Sequence, residues 1–132
     1  MADTFAQMEE REIGSATGIS AERAVKELGE NAEVLLVDVR DTAEMQATGI
    51  GPNAVMAPGR AIAWMADLES DYRSADLQDR SRRILTTCGG APSYRGAAAA
   101  NVLTSMGFEK VAFVDGGMAA LMKAGLETKP PK

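Results

Sequence analysis

Short, fully apolar runs separated by helical stretches constrain this 132-residue chain more than any other feature. Val34-Leu35-Leu36-Val37 and Val111-Ala112-Phe113-Val114 lack the polar alternation of a strand with one wet face, and Arg83-Ile84-Leu85-Thr86-Thr87 carries the same kind of centre. Such runs mark strands covered on both sides. Between them lie helix signals. Ser20 caps a segment from Ala21 to Leu28, with Gly29 as its stop. Asp41 or Thr42 opens a short helix ending near Gly49, and Ala61 to Leu68 places Ile62 and Met65 on one side. Ser93 to Met106 is alanine-rich and stopped by Gly107, and Met118 to Lys123 ends at Gly125. A brief strand is expected at Ala54-Val55-Met56 and a polar excursion over 69–82. Strands alternating with helices predict an α/β fold: a central parallel sheet of about five strands, flanked by helices on both faces.

Length and composition restrict the function. The chain suits a single domain over 17–127, with a flexible, polar lead-in over 1–16 and a frayed tail over 128–132. It contains one cysteine, so no internal disulfide forms. No run approaches the ~20 apolar residues of a membrane span. The acidic N-terminus lacks the basic start of a secretory signal, and a reducing, cytoplasmic setting is expected. Fourteen basic against nineteen acidic residues, a formal charge of −5, disfavour nucleic acid and acidic membranes as partners. Histidine is absent, so any nucleophile is activated without an imidazole partner. No residue cluster implies a metal or an organic cofactor, and the eight methionines read as core filler.

The chemistry points to Cys88. In open parallel sheets, ligands sit beyond the carboxyl ends of the strands, and Cys88 directly follows a strand there. It opens the loop Gly89-Gly90-Ala91-Pro92-Ser93-Tyr94, which runs into a helix beginning near Arg95. Gly89 and Gly90 let backbone amides turn inward as an anion-binding nest. The helix start adds unpaired N–H groups and the positive end of its dipole. Arg95 supplies a planar cationic fork. Together these favour a thiolate and an anionic substrate beside it. A lone cysteine is also a common small buried hydrophobe; its position at a strand end, before a glycine loop and a helix, favours the reactive reading.

These residues resemble the rhodanese homology domain over roughly Gly18 to Glu127. The resemblance rests on Leu35-Leu36-Val37-Asp38-Val39-Arg40-Asp41, on Gly51-Pro52-Asn53-Ala54, on Cys88 to Arg95, and on Met106-Gly107-Phe108 followed by Val114-Asp115-Gly116-Gly117. It implies a sulfurtransferase in which Cys88 takes a sulfane sulfur from thiosulfate or a related small anionic donor. The persulfide then passes sulfur to cyanide, a thiol or a protein acceptor, while the loop amides hold the anion. Two other classes share the loop: phosphatase or arsenate-type oxyanion chemistry, and a non-catalytic anion- or partner-binding module. Six residues separate Cys88 from Arg95, more than the family's sulfurtransferase and phosphatase members place there. Gly89 stands where a basic residue often follows the cysteine, and Ile50 where a histidine is usual.

The remaining candidates support or border this site. Asp38 and Arg40 are expected to lock a strand end by ion pairing, and Gly116 and Gly117 to brace the loop. Arg60 is either a substrate-binding charge or a solvated arginine. Trp64 is expected in the core or the pocket wall, Ser93 as the helix N-cap, and Tyr94 either over the pocket or in solvent. Asp115 is a polar strand-end cap, or a general acid if the chemistry is phosphatase-like. Arg80, Arg82 and Arg83 read as a solvated charge run.

Overall fold

Alternation within each central strand builds two cores. The computed structural model describes residues 2–131. Its strands are β1 (Gly18–Ile19), β2 (Leu35–Asp38), β3 (Val55–Met56), β4 (Arg83–Thr87) and β5 (Lys110–Val114). They form one five-stranded sheet in the order β1-β5-β4-β2-β3, and every neighbouring pair is parallel. The helices are α1 (Phe5–Ser15), α2 (Ala21–Glu30), α3 (Thr42–Thr48), α4 (Ala61–Met65), α5 (Arg95–Ser105) and α6 (Gly117–Lys123). Leu35, Val37, Ile84 and Val111 pack with Ile62 of α4 and with Ala99, Ala100 and Leu103 of α5. Leu36, Leu85 and Ala112 project to the opposite face, against Ala24 of α2 and Met118 and Leu121 of α6. With both faces covered, neither parity of these strands tolerates a polar run, which is the α/β architecture the apolar segments predicted. Each such leucine or isoleucine contributes about 1.5–3 kcal/mol by leaving water.

The alanine run does more than favour a helix. Gly96, Ala97, Ala99 and Ala100 are all buried, so α5 lies close against the sheet. That closeness brings the start of α5 onto the end of β4, the geometry on which the candidate site depends.

Several expectations need correction. Residues 5–15, expected as a loose lead-in, form α1. The Thr4 hydroxyl accepts from the Gln7 amide at 3.1 Å, and the Gln7 side chain accepts from the Thr4 amide at 2.9 Å. The helix lies against α5, where the Asn101 amide donates to the Glu12 carbonyl at 2.8 Å and to its carboxylate at 2.9 Å. The tail is tied down as well: Lys129 exchanges backbone hydrogen bonds with Ile50 at 2.8 Å in both directions. Lys132 lies outside the described residues. Trp64 is 47% exposed rather than in the core or a pocket wall. The 69–82 excursion contains a 3₁₀ turn, Ala75–Leu77, whose Leu77 is fully buried. The expected solvated arginines are engaged. Arg80 stacks 4.3 Å over the Phe108 ring and donates to the Ala66 carbonyl at 2.8 Å, and Arg83 makes two hydrogen bonds to the Glu27 carboxylate.

Candidate active site

Strand parity decides where the sulfur emerges. Cys88 continues the parity of Ile84 and Thr86, and it joins the core beneath α5 with only 5% of its surface exposed. Thr86 fixes that junction by donating its hydroxyl proton to the Gly96 carbonyl at 2.6 Å. The Cys88 thiol points toward the Ser93 carbonyl, 3.7 Å away. Between them the loop folds on itself, with the Ser93 amide donating to the Gly90 carbonyl at 2.8 Å and a cis peptide joining Ala91 to Pro92. The amides of Gly89, Gly90, Ala91 and Tyr94 have no backbone acceptor among the described residues. The first backbone bond of α5 runs from the Ala98 amide to the Tyr94 carbonyl, leaving the amides of Gly96 and Ala97 at the open helix end. A loop of this kind presents donors to an anion. The helix begins at Arg95 rather than Ser93, and the Ser93 hydroxyl accepts from the Arg95 amide at 3.3 Å and from its Nε at 2.7 Å.

The start of α6 clamps the other side of the loop. The Met118 amide donates to the Cys88 carbonyl at 2.6 Å, and the Ala119 amide to the Gly89 carbonyl at 3.1 Å. Gly117 has φ +61°, and a Cβ there would collide with the Cys88 carbonyl oxygen and lie 2.7 Å from the Gly90 amide nitrogen. Only glycine permits so close an approach. Gly117 thus packs directly on the loop backbone.

The charges are arranged differently from expectation. Arg95 forms a fork-to-fork pair with Glu44 at 2.7 and 3.1 Å, and Asp41 lies 3.7 Å away. Hydrogen bonding to Arg95 lowers the Glu44 carboxyl from 4.5 to about 2, and the same pairing raises the Arg95 guanidinium. Arg40 and Asp38 are both buried and joined by a bidentate pair. Arg40 also donates to the Thr48 hydroxyl at 2.6 Å and to the Gly49 carbonyl at 2.8 Å. That pair ties the end of β2 to the C-terminal end of α3.

Cys88 opens onto a cavity of about 150 Å³, lined also by Gly90, Ala91, Ser93, Tyr94, Gly116 and Gly117 of the expected set. Arg60 and Arg95 do not line it. They face a separate groove of about 570 Å³ beyond Tyr94, although Arg95 stays near enough for the Cys88 charge to add to what Glu44 does in raising its guanidinium. Gly89 instead packs against the Glu44–Arg95 pair, and Pro92 is exposed. Glu9 and Ile13 from α1 also line it and were not foreseen there, and it is joined by Ala97, Phe113, Val114 and the candidate Asp115 after β5. Phe5 of α1 stacks on Tyr94 with ring centroids 5.5 Å apart, holding the tyrosine between the two cavities. Among the described residues no group of three or more histidine, cysteine or acidic side chains is placed to hold a metal. No described helix is long and apolar enough to cross a membrane.

A family model described as a rhodanese-like domain matches residues 20–124. The chain belongs to that family. Its rhodanese-like fold is similar to that of a Rhodopseudomonas palustris protein of unknown function, described as a possible tyrosine phosphatase. The two are 24% identical, with a TM-score of 0.87 over 98% of this chain and 96% of the other. A polysulfide-sulfur transferase homodimer from Wolinella succinogenes is 24% identical, with a TM-score of 0.74 over 97% of this chain and 88% of that one. A rhodanese-like domain from Anabaena is 26% identical, with a TM-score of 0.69 over 86% and 79%. No curated protein sequence matches the chain.

Two signals for the unforeseen residues lay in the sequence of this rhodanese-like domain. Thr4-Phe5-Ala6-Gln7 is a capping box that starts α1 and so places Glu9 and Ile13 on a helix. Asp41-Thr42-Ala43-Glu44 is a second, in which Glu44 accepts from the Asp41 amide at 3.0 Å. That box gives no hint of the pairing with Arg95, 51 positions away.

Proposed function

We propose that this rhodanese-like domain is a sulfurtransferase that carries a sulfane sulfur on Cys88. The observation that carries the reading is the sulfur at the carboxyl end of β4, facing a small cavity beneath a loop of unpartnered amides and the start of α5. With thiosulfate as donor, the Cys88 thiolate attacks the sulfane sulfur. A new S–S bond forms at Cys88, the donor's S–S bond breaks, and sulfite leaves with the electron pair. Cyanide or a thiolate then attacks the outer sulfur, and the Cys88 thiolate departs.

The amides of Gly89, Gly90, Ala91 and Tyr94, which have no backbone acceptor among the described residues, hold the anionic persulfide, and α6 holds the loop in place. Arg95 acts as a positioning residue, through Ser93 and Glu44, rather than as a clamp on the donor. The reaction class is further supported by a polysulfide-sulfur transferase that shares the fold. A phosphatase would need a free arginine at the oxyanion, which the Glu44 pair opposes. The reading assigns the chain to a reducing, cytoplasmic setting, where a single thiol stays available. Stopped-assay measurement of sulfite tests it. One equivalent per protein released in a burst before cyanide is added, and none from Cys88→Ser, is expected. A chain that hydrolyses aryl phosphates and releases no sulfite overturns it.

A further inference from the structure

We propose that the Cys88 cavity selects small sulfur compounds bearing an ammonium group, aminothiols and their persulfides, over sulfur oxyanions. This rests on the reading of Cys88 as the sulfur carrier and names its substrate class. The cavity wall combines two kinds of group. The loop amides and the start of α5 suit an anionic sulfur. The other charged groups in its wall are Glu9, half-buried on α1, and Asp115, exposed after β5. Among the described lining residues there is no basic side chain.

The cations expected to bind substrate do not line this cavity. Arg95 is bound to Glu44 through both of its terminal nitrogens, and Arg60 faces the groove beyond Tyr94. A dianion entering such a cavity meets like charge from both carboxylates, whereas a ligand carrying both a thiolate and an ammonium satisfies both kinds of group. A volume of about 150 Å³ holds roughly five waters' worth of ligand, which fits a two- or three-carbon aminothiol. Glu9 and Asp115 are the specificity-determining residues.

Thiol–disulfide exchange tests the selection without requiring sulfur transfer. The Cys88 thiolate attacks one sulfur of a symmetrical disulfide, the mixed disulfide forms, the probe's own bond breaks, and the departing thiolate takes the electron pair. The probes are cystamine, carrying two ammonium groups, the neutral hydroxyethyl disulfide, and the dianionic dithiodiglycolate. Each rate is divided by that of N-acetylcysteine amide with the same probe. At low salt, cystamine is expected to react roughly tenfold faster than dithiodiglycolate, with the neutral probe between. Glu9→Gln and Asp115→Asn are each expected to reduce that ratio about threefold, and molar salt to flatten it. A ratio near one, a reversed order, or a ratio unmoved by both variants overturns the proposal. So does a cysteine inert to all three probes, because the cavity then admits none of them. Persulfide formation without this charge order leaves the transferase reading standing and removes the selection. The charge order without any persulfide does the reverse.

Discussion

Replacing Glu44 by glutamine removes the charge that holds Arg95 while keeping the shape and the hydrogen bond to the Asp41 amide. Its carboxyl is lowered from 4.5 to about 2, chiefly by the Arg95 hydrogen bonds. In a fully dry setting that lowering would correspond to about 3 kcal/mol. The two side chains are 39% and 37% exposed, however, and water screens much of their attraction. About 1 kcal/mol is the magnitude expected. The sign follows from linkage. A carboxyl depressed in the folded state stabilises fully above its unfolded value near 4.5, and that stabilisation is lost as the pH falls toward about 2. Urea titrations of the wild type and Glu44→Gln across this range measure it. At about pH 6 the variant should unfold roughly half a molar earlier, given a slope of about 2 kcal/mol per molar. By about pH 2.5 the gap should have shrunk to about a quarter of that. Using the difference cancels the other carboxyls, including Glu27, which Arg83 also lowers. A gap that stays constant from about pH 6 to pH 2.5 would refute the pairing as the source of the effect.

Removing the partner of a buried charge is more severe. Asp38→Ala leaves Arg40 without its carboxylate and should cost about 3–5 kcal/mol in chemical denaturation; a loss below about 1 kcal/mol would contradict the buried pair. Gly117→Ala forces a Cβ into the Cys88 carbonyl at a positive φ. It should cost about 1–3 kcal/mol and change the rate at which Cys88 is alkylated. Gly14→Ala, on α1 with open space around it, should stabilise by about 0.5–1 kcal/mol, and a loss would show that α1 is not helical there.

The central strands were legible because two-sided burial leaves a run with no polar parity, as at Leu35-Leu36-Val37 and Ile84-Leu85. The loop from Cys88 to the start of α5 was legible for a local reason: strand, glycines and helix start are neighbours in sequence. β1 was missed because two residues, Gly18 and Ile19, carry no periodicity. α1 was missed because none of its residues is buried, so its composition is that of a solvated segment, although its capping box was present. Charge placement was the least legible feature. Whether Arg95 faces the sulfur or a carboxylate depends on Glu44, which reaches it only through tertiary packing. The same holds for Arg80, whose surface-like sequence context conceals the Phe108 ring beneath it.

Intact-protein mass spectrometry tests the sulfur-carrier claim most directly. The chain is incubated separately with excess thiosulfate and with cysteamine persulfide, alongside Cys88→Ser. The account predicts a gain of ~32 Da, one sulfur, that cyanide reverses and the variant never shows. A thiol that alkylates readily yet gains no sulfur from either donor would contradict it.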